Sequence, residues 1–194
     1  QFEQHTDQRQ GFVNQRGIIG DLRRDETGQV QSAEIAIRTE YVTADLWRFS
    51  AGARLSELKF TVTDYFIQPG NPDDSGHKTD QYPSFALGIS YPLQPDLSWN
   101  LNLGHGFETP TLTEMAYQKN GTGLNLSLNA ARNQQIETGL KYQTETSLAS
   151  LDLFYIQSRD ELIVDQSIGG RTSYRNAARS SRRGLEFFWQ QQIT

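Results

Sequence analysis

The sequence contains no cysteine, which excludes disulfide frameworks, thiolate metal sites and cysteine nucleophiles. It also lacks long apolar runs. A membrane-spanning helix needs about 20 predominantly apolar residues, whereas here mean hydropathy is −0.64 and hydrophobic residues make up 36%. A membrane β-barrel survives that test, because its strands alternate each lipid-facing residue with a polar one facing the lumen. A surplus of positive charge is missing too. The net charge of −5 argues against a nucleic-acid binder, which presents a basic face. Histidine is scarce, with His5, His77 and His105 far apart. No Ser/His/Asp constellation, phosphate-binding loop or fixed carboxylate pair accompanies them, so neither catalysis nor a cofactor is implied. With Gln1 first and no signal-like apolar segment, the chain reads as a mature protein or as a piece of a longer one.

What the chain does have is period-two alternation. Leu97, Trp99, Leu101 and Leu103 alternate with Ser98, Asn100, Asn102 and Gly104, while Ile35, Ile37, Thr39 and Tyr41 oppose Glu34, Arg38 and Glu40. Similar patterns place strands at 47–55, 58–65, 85–91, 136–142, 151–155 and 185–189. A weaker strand at 12–22 and a short one at 161–165 bring the total to about nine or ten. Connections alternate between short (43–45, 92–96, 144–146) and long (67–81, 107–134, 158–174, the last containing Gly169-Gly170). Short turns at one end and excursions at the other are the habit of outer-membrane barrels. The face opposite the apolar one carries charges of both signs: Glu34, Arg38, Arg48, Arg54, Glu137, Lys141, Asp152 and Glu186. Tyr41, Trp47, Tyr91, Trp99 and Tyr142 flank the short turns on the apolar parity, where an interfacial aromatic girdle would put them. The fold class expected is all-β, an antiparallel up-and-down meander forming part of a transmembrane β-barrel. The same alternation also suits a soluble β-sandwich binding module serving adhesion or carbohydrate binding.

Two polar clusters admit alternatives. Asp73, Asp74, His77 and Asp80 could hold a divalent ion, but a solvated loop needs such residues in any case, and no metal site is expected. Arg179, Arg182 and Arg183, just before the strand-like 184–189, read as a polar turn or lumen patch rather than a phosphate site.

The run YPSFALGISYPLQPDLSWNLNLGHGFETPTLT, residues 82–113, resembles the barrel of TonB-dependent outer-membrane receptors, where two strands lead into a glycine-phenylalanine-x-x-proline-threonine segment. Gln135-Ile136-Glu137-Thr138-Gly139-Leu140-Lys141, the strand within 150–164, Asn176-Ala177 and Arg183-Gly184-Leu185-Glu186 continue that likeness in order, over roughly residues 30–194. The resemblance implies TonB-driven uptake of a scarce small ligand across the outer membrane, with TonB as partner through a plug domain. The ligand would be a ferric siderophore or other metal chelate, and the Gly-Phe-Glu-Thr-Pro-Thr and Gly-Gly-Arg-Thr-x-Tyr wording also resembles a branch linked to pyrroloquinoline quinone. No plug precedes these strands and no aromatic residue ends them, so residues 1–194 are expected to be a slice of a barrel of about 22 strands. By the same resemblance, recognition falls to the external loops: Glu108 and Tyr117 in the second, and Arg171, Tyr174 and Arg175 in the third. There guanidinium groups would pair with an anionic ligand and tyrosines stack on its rings.

Overall fold

The computed structural model describes residues 1–119, 124–168 and 171–193; the Gly169-Gly170 pair lies outside them. It holds one eight-stranded antiparallel sheet in sequential order, with β1 and β8 at its edges. The strands are β1 (Phe2–Gln15), β2 (Ile18–Val42), β3 (Arg48–Asp64), β4 (Gly76–Gln94), β5 (Leu97–Glu108), β6 (Ala131–Gln143), β7 (Ser147–Ile168) and β8 (Arg171–Gln191). A 3₁₀ turn, Glu114–Ala116, interrupts the loop between β5 and β6. No second sheet packs against the first among the described residues, which removes the sandwich alternative.

Register assigns the faces, since residues directly opposite in an antiparallel ladder share one side. Ile37, Ala53 and Phe85 stand in one row, then Leu87, Leu103 and Ile136, and then Tyr155 and Arg183. This outer face forms an exposed apolar belt, with Ile37 at 73% exposure, Leu153 at 53% and Phe187 at 68%. A soluble protein rarely exposes so continuous an apolar surface. Near the short turns the belt ends in rings: Trp47 stacks on Tyr91 at 4.5 Å and meets Trp99 edge-on at 6.3 Å, and Trp99 Nε1 donates to Thr138 Oγ1 at 2.9 Å. All eight charged residues singled out in the sequence fall on the opposite, inner face.

Further along β3 the polarity of the faces exchanges. Below Ser56 the outer side is Phe49, Ala51, Ala53 and Leu55 and the inner side Arg48, Ser50, Gly52 and Arg54; above it the outer side is Glu57, Lys59 and Thr61 and the inner side Leu58, Phe60 and Val62. The upper inner surface is a small core. Phe60, Val62, Met115, Leu124 and Leu128 are buried together, with Val30, Leu58, Leu112, Leu126, Leu162 and Tyr174 around them. Residues 109–119 and 124–130 therefore fold inward over the sheet rather than out into water.

This exchange corrects several boundaries. The strands expected at 47–55 and 58–65 are one, β3, and the short strand at 161–165 belongs to β7, which runs on to Ile168. The strand expected at 12–22 is instead a hairpin. It turns at Arg16 and Gly17, whose φ values of 56° and 91° suit a tight two-residue turn. The 158–174 excursion is mostly ladder, so the asymmetry between the two ends lies in strand extension as much as in loops.

A candidate ligand site on the upper inner face

The upper ends of β1 and β2 place arginines opposite the inward-folded loop. Arg24 and Glu26 are two apart on β2 and so share its inner face, and Arg9 of β1 lies directly opposite Glu26. Arg24 Nη2 donates to Glu26 Oε1 at 2.6 Å and its Nη1 to Tyr117 Oη at 2.8 Å. Arg9 approaches the same carboxylate at 3.6 Å and donates to Thr113 Oγ1 at 2.8 Å. Burial works against the charge on Arg24, but Glu26 and Tyr117 outweigh it and hold the guanidinium pKa above its ordinary value.

The Tyr117 ring lies between two guanidinium groups, with Arg24 Cζ 5.1 Å and Arg171 Cζ 5.5 Å from its centroid. Arg171 has no carboxylate within ion-pair distance among the described residues, so its donors face the adjoining space. That space is a cavity of about 500 Å³ lined by Arg9, Arg23, Arg24, Tyr117 and Arg171, with Asn71 and Phe66 on the opposite wall. Glu26 is already engaged by Arg24 and Arg9, and Asp64 accepts from the Phe66 and Asp74 amides. The polar capacity left over is chiefly cationic and aromatic, which suits an anion carrying a flat ring system.

The five residues expected at the site are distributed unequally. Tyr117 and Arg171 meet in the cavity wall. Tyr174 packs against the apolar core, and its carbonyl accepts from Asn125 Nδ2 at 3.0 Å. Arg175 pairs with Asp165 at 3.1 Å, and Lys119 takes the other oxygen of that carboxylate at 3.0 Å. Glu108 ends β5 opposite Ala131, exposed and outside the cavity lining. Arg9, Arg24 and Glu26 went unnoticed in the sequence; the Arg24-x-Glu26 spacing, which puts opposite charges on one strand face, was the available signal.

The Asp73, Asp74, His77 and Asp80 group does not assemble. Asp73 caps the Ser75 amide at 2.8 Å, Asp80 pairs with Lys78 at 3.1 Å, and His77 is on the outer face of β4 opposite Thr61. Among the described residues no cluster of three or more such donors could hold a metal ion.

Solved structures share this fold. The copper transporter OprC matches with a TM-score of 0.70 and 17% identity over 100% of this chain and 31% of its own. The ferric-catecholate import receptor Fiu from E. coli K12, in a closed form, gives 0.71 and 17% over 100% and 32%. A ferric enterobactin receptor mutant, PfeA from Pseudomonas aeruginosa in complex with enterobactin, gives 0.51 and 13% over 96% and 38%. The chain thus spans about a third of the length of these relatives. The family model described as TonB dependent receptor-like, beta-barrel, matches residues 1–193, and the chain belongs to that family of TonB-dependent receptor barrels.

Proposed function

We propose that this chain forms part of the barrel wall of an outer-membrane TonB-dependent receptor, completed by further strands and a plug, that imports a scarce anionic ligand. The fold and the family support a transporter rather than an enzyme. The observation that carries the ligand class is Tyr117 held between Arg24 and Arg171 at the mouth of the cavity. Guanidinium forks and an aromatic face fit a metal chelate such as a ferric siderophore, or pyrroloquinoline quinone, whose carboxylates and fused rings make the same demands. Four arginines against the carboxylates of Glu26, Asp64 and Asp74 leave the lining net cationic, which disfavours a bare metal cation. Glu108, at the end of β5, and Tyr174 and Arg175, near the start of β8, serve this reading at one remove, outside the cavity lining.

The test is a titration of the intact receptor with a ferric tris-catecholate, with pyrroloquinoline quinone and with aqueous copper. Arg171→Gln should weaken binding of the preferred anion about tenfold, in line with the roughly 1.5 to 3 kcal/mol of a charged hydrogen bond. Unchanged affinity for both anions, or preference for copper, overturns the assignment.

A further inference from the structure

Two guanidinium groups in the wall of the upper cavity are taken up by one carboxylate. Glu26 is buried in that wall. Its Oε1 accepts from Arg24 Nη2 at 2.6 Å, while Arg9 Nη1 stands 3.6 Å from the same atom. The shorter contact joins no elements, because Arg24 and Glu26 lie two apart on one strand and β1 and β2 are held together by their own ladder. Asp165 makes the contrast: it takes Arg175 of β8 and Lys119 of the β5–β6 loop, and so ties β7 to both. What Glu26 controls is the supply of cationic donors to the cavity. Arg24 divides its fork between Glu26 and Tyr117 Oη. Arg171, the other guanidinium on the Tyr117 ring, is not paired with Glu26.

An anion entering this cavity finds Arg171 clear of Glu26 but must compete for Arg24. Breaking a buried ion pair without a replacement leaves an uncompensated charge and is strongly unfavourable. The wall supplies the replacement. Arg9 lies just beyond hydrogen-bond distance of Glu26, and Asp7, 3.0 Å from Arg9 Nε, steadies it on the inner face of β1. Resting on the reading of this cavity as an anion site, we propose that Glu26 is a resident counter-anion. The ligand displaces it from Arg24, Glu26 closes onto Arg9, and the exchange reverses when the ligand leaves. Every charge keeps a partner at both ends of the exchange, since the anionic group of the ligand takes the place on Arg24 that Glu26 gives up. Two consequences follow for the same site. The cavity binds more weakly, and releases more readily, than its arginines would without Glu26. Its second anchor also selects for charge: catecholate or carboxylate oxygens can replace a carboxylate on Arg24, whereas a neutral carbonyl, which forms the weaker bond, is left with Arg171 alone.

The intact receptor is titrated with a ferric tris-catecholate and with pyrroloquinoline quinone, and dissociation of whichever anion the wild type binds is followed by stopped flow. Glu26→Gln should tighten binding about tenfold, mostly through slower dissociation. Glu57→Gln, the same change of net charge on the outer face, should alter it less than about twofold. Glu26→Asp keeps the charge but shortens the reach to Arg24; it should tighten binding about threefold and decides the matter where Glu26→Gln assembles poorly. Arg9→Gln should weaken binding in the wild type, where the displaced carboxylate needs Arg9, and change it less than about twofold in the Glu26→Gln background, where nothing is displaced. Unchanged or weaker binding in the Glu26 variants overturns the proposal. So does an equal gain from Glu57→Gln, which marks a general charge effect, or an equal loss from Arg9→Gln in both backgrounds, which makes Arg9 a direct ligand contact. A wild-type receptor that binds neither anion overturns instead the reading of the cavity as a ligand site.

Discussion

Gly28 marks the point where the folded-in loop touches the sheet most closely. A β-carbon there would stand 2.8 Å from Leu112 Cδ1, and Leu112 itself packs on the upper core. Gly28→Ala should push Leu112 aside at a cost of about 1 kcal/mol, the lower end for overpacking, with faster amide exchange at 111–116 as the local signature. Glu161 offers a second single-residue test. The Ser180 hydroxyl, helped by Arg182, holds its pKa below the ordinary glutamate range despite some desolvation. A depressed carboxylate contributes stability above its unfolded pKa and loses it as pH falls through the folded one. Amide protection in the upper β7–β8 ladder should accordingly be constant from neutrality to about pH 5 and fall below about pH 4; in Glu161→Gln that acid-dependent fall should be smaller.

Among the elements, the joint between the β7–β8 hairpin and the loop depends on Asn176. Its Nδ2 donates to the Asn129 carbonyl at 2.8 Å and to the Asp160 carbonyl at 2.6 Å, while its Oδ1 accepts from the Asn129 amide at 2.9 Å. Asp160 has φ of 58°, a conformation that costs a non-glycine residue on the order of 1 kcal/mol and needs outside support. Removing these bonds with Asn176→Ala should loosen residues 124–130 and the hairpin together, by roughly 2 to 3 kcal/mol, read as exchange rising in both segments at once. Exchange rising in only one of them would mean that the two are not coupled. The lower halves of these elements were legible because one face is apolar and the other charged, as in Leu97 to Leu103. Their upper halves were not. In β3 the exchange at Ser56 shifts the apolar parity from Leu55 to Leu58, which mimics a break between two strands. From Arg171 to Arg183 both faces are polar, which mimics a loop. The site was harder still, because Arg24 and Tyr117 are 93 positions apart and no local periodicity connects them.

For the whole molecule, adjacent residues on opposite faces provide the sharpest contrast. Leu101 stands in the outer row with Ile89 and Thr138, and Asn102 in the inner row with Gly88 and Glu137. Leu101→Arg should cost roughly 2 to 4 kcal/mol near the bilayer midplane and block membrane assembly of the intact receptor. Asn102→Arg, placed beside the Glu137 carboxylate, should assemble. Heat-modifiable migration on gels compares the two directly, and equal assembly would remove the lipid-facing assignment.

The exchange of polarity at Ser56 also acts as a depth gauge. Sinking the sheet by one row would carry Glu57 and Gln81 into hydrocarbon, and raising it by one would strand Ile35 and Leu55 in water. Both errors are penalised along the same line of side chains. The vertical position of this wall in the bilayer is thus set within a residue pair by its strands, before any loop or partner is considered.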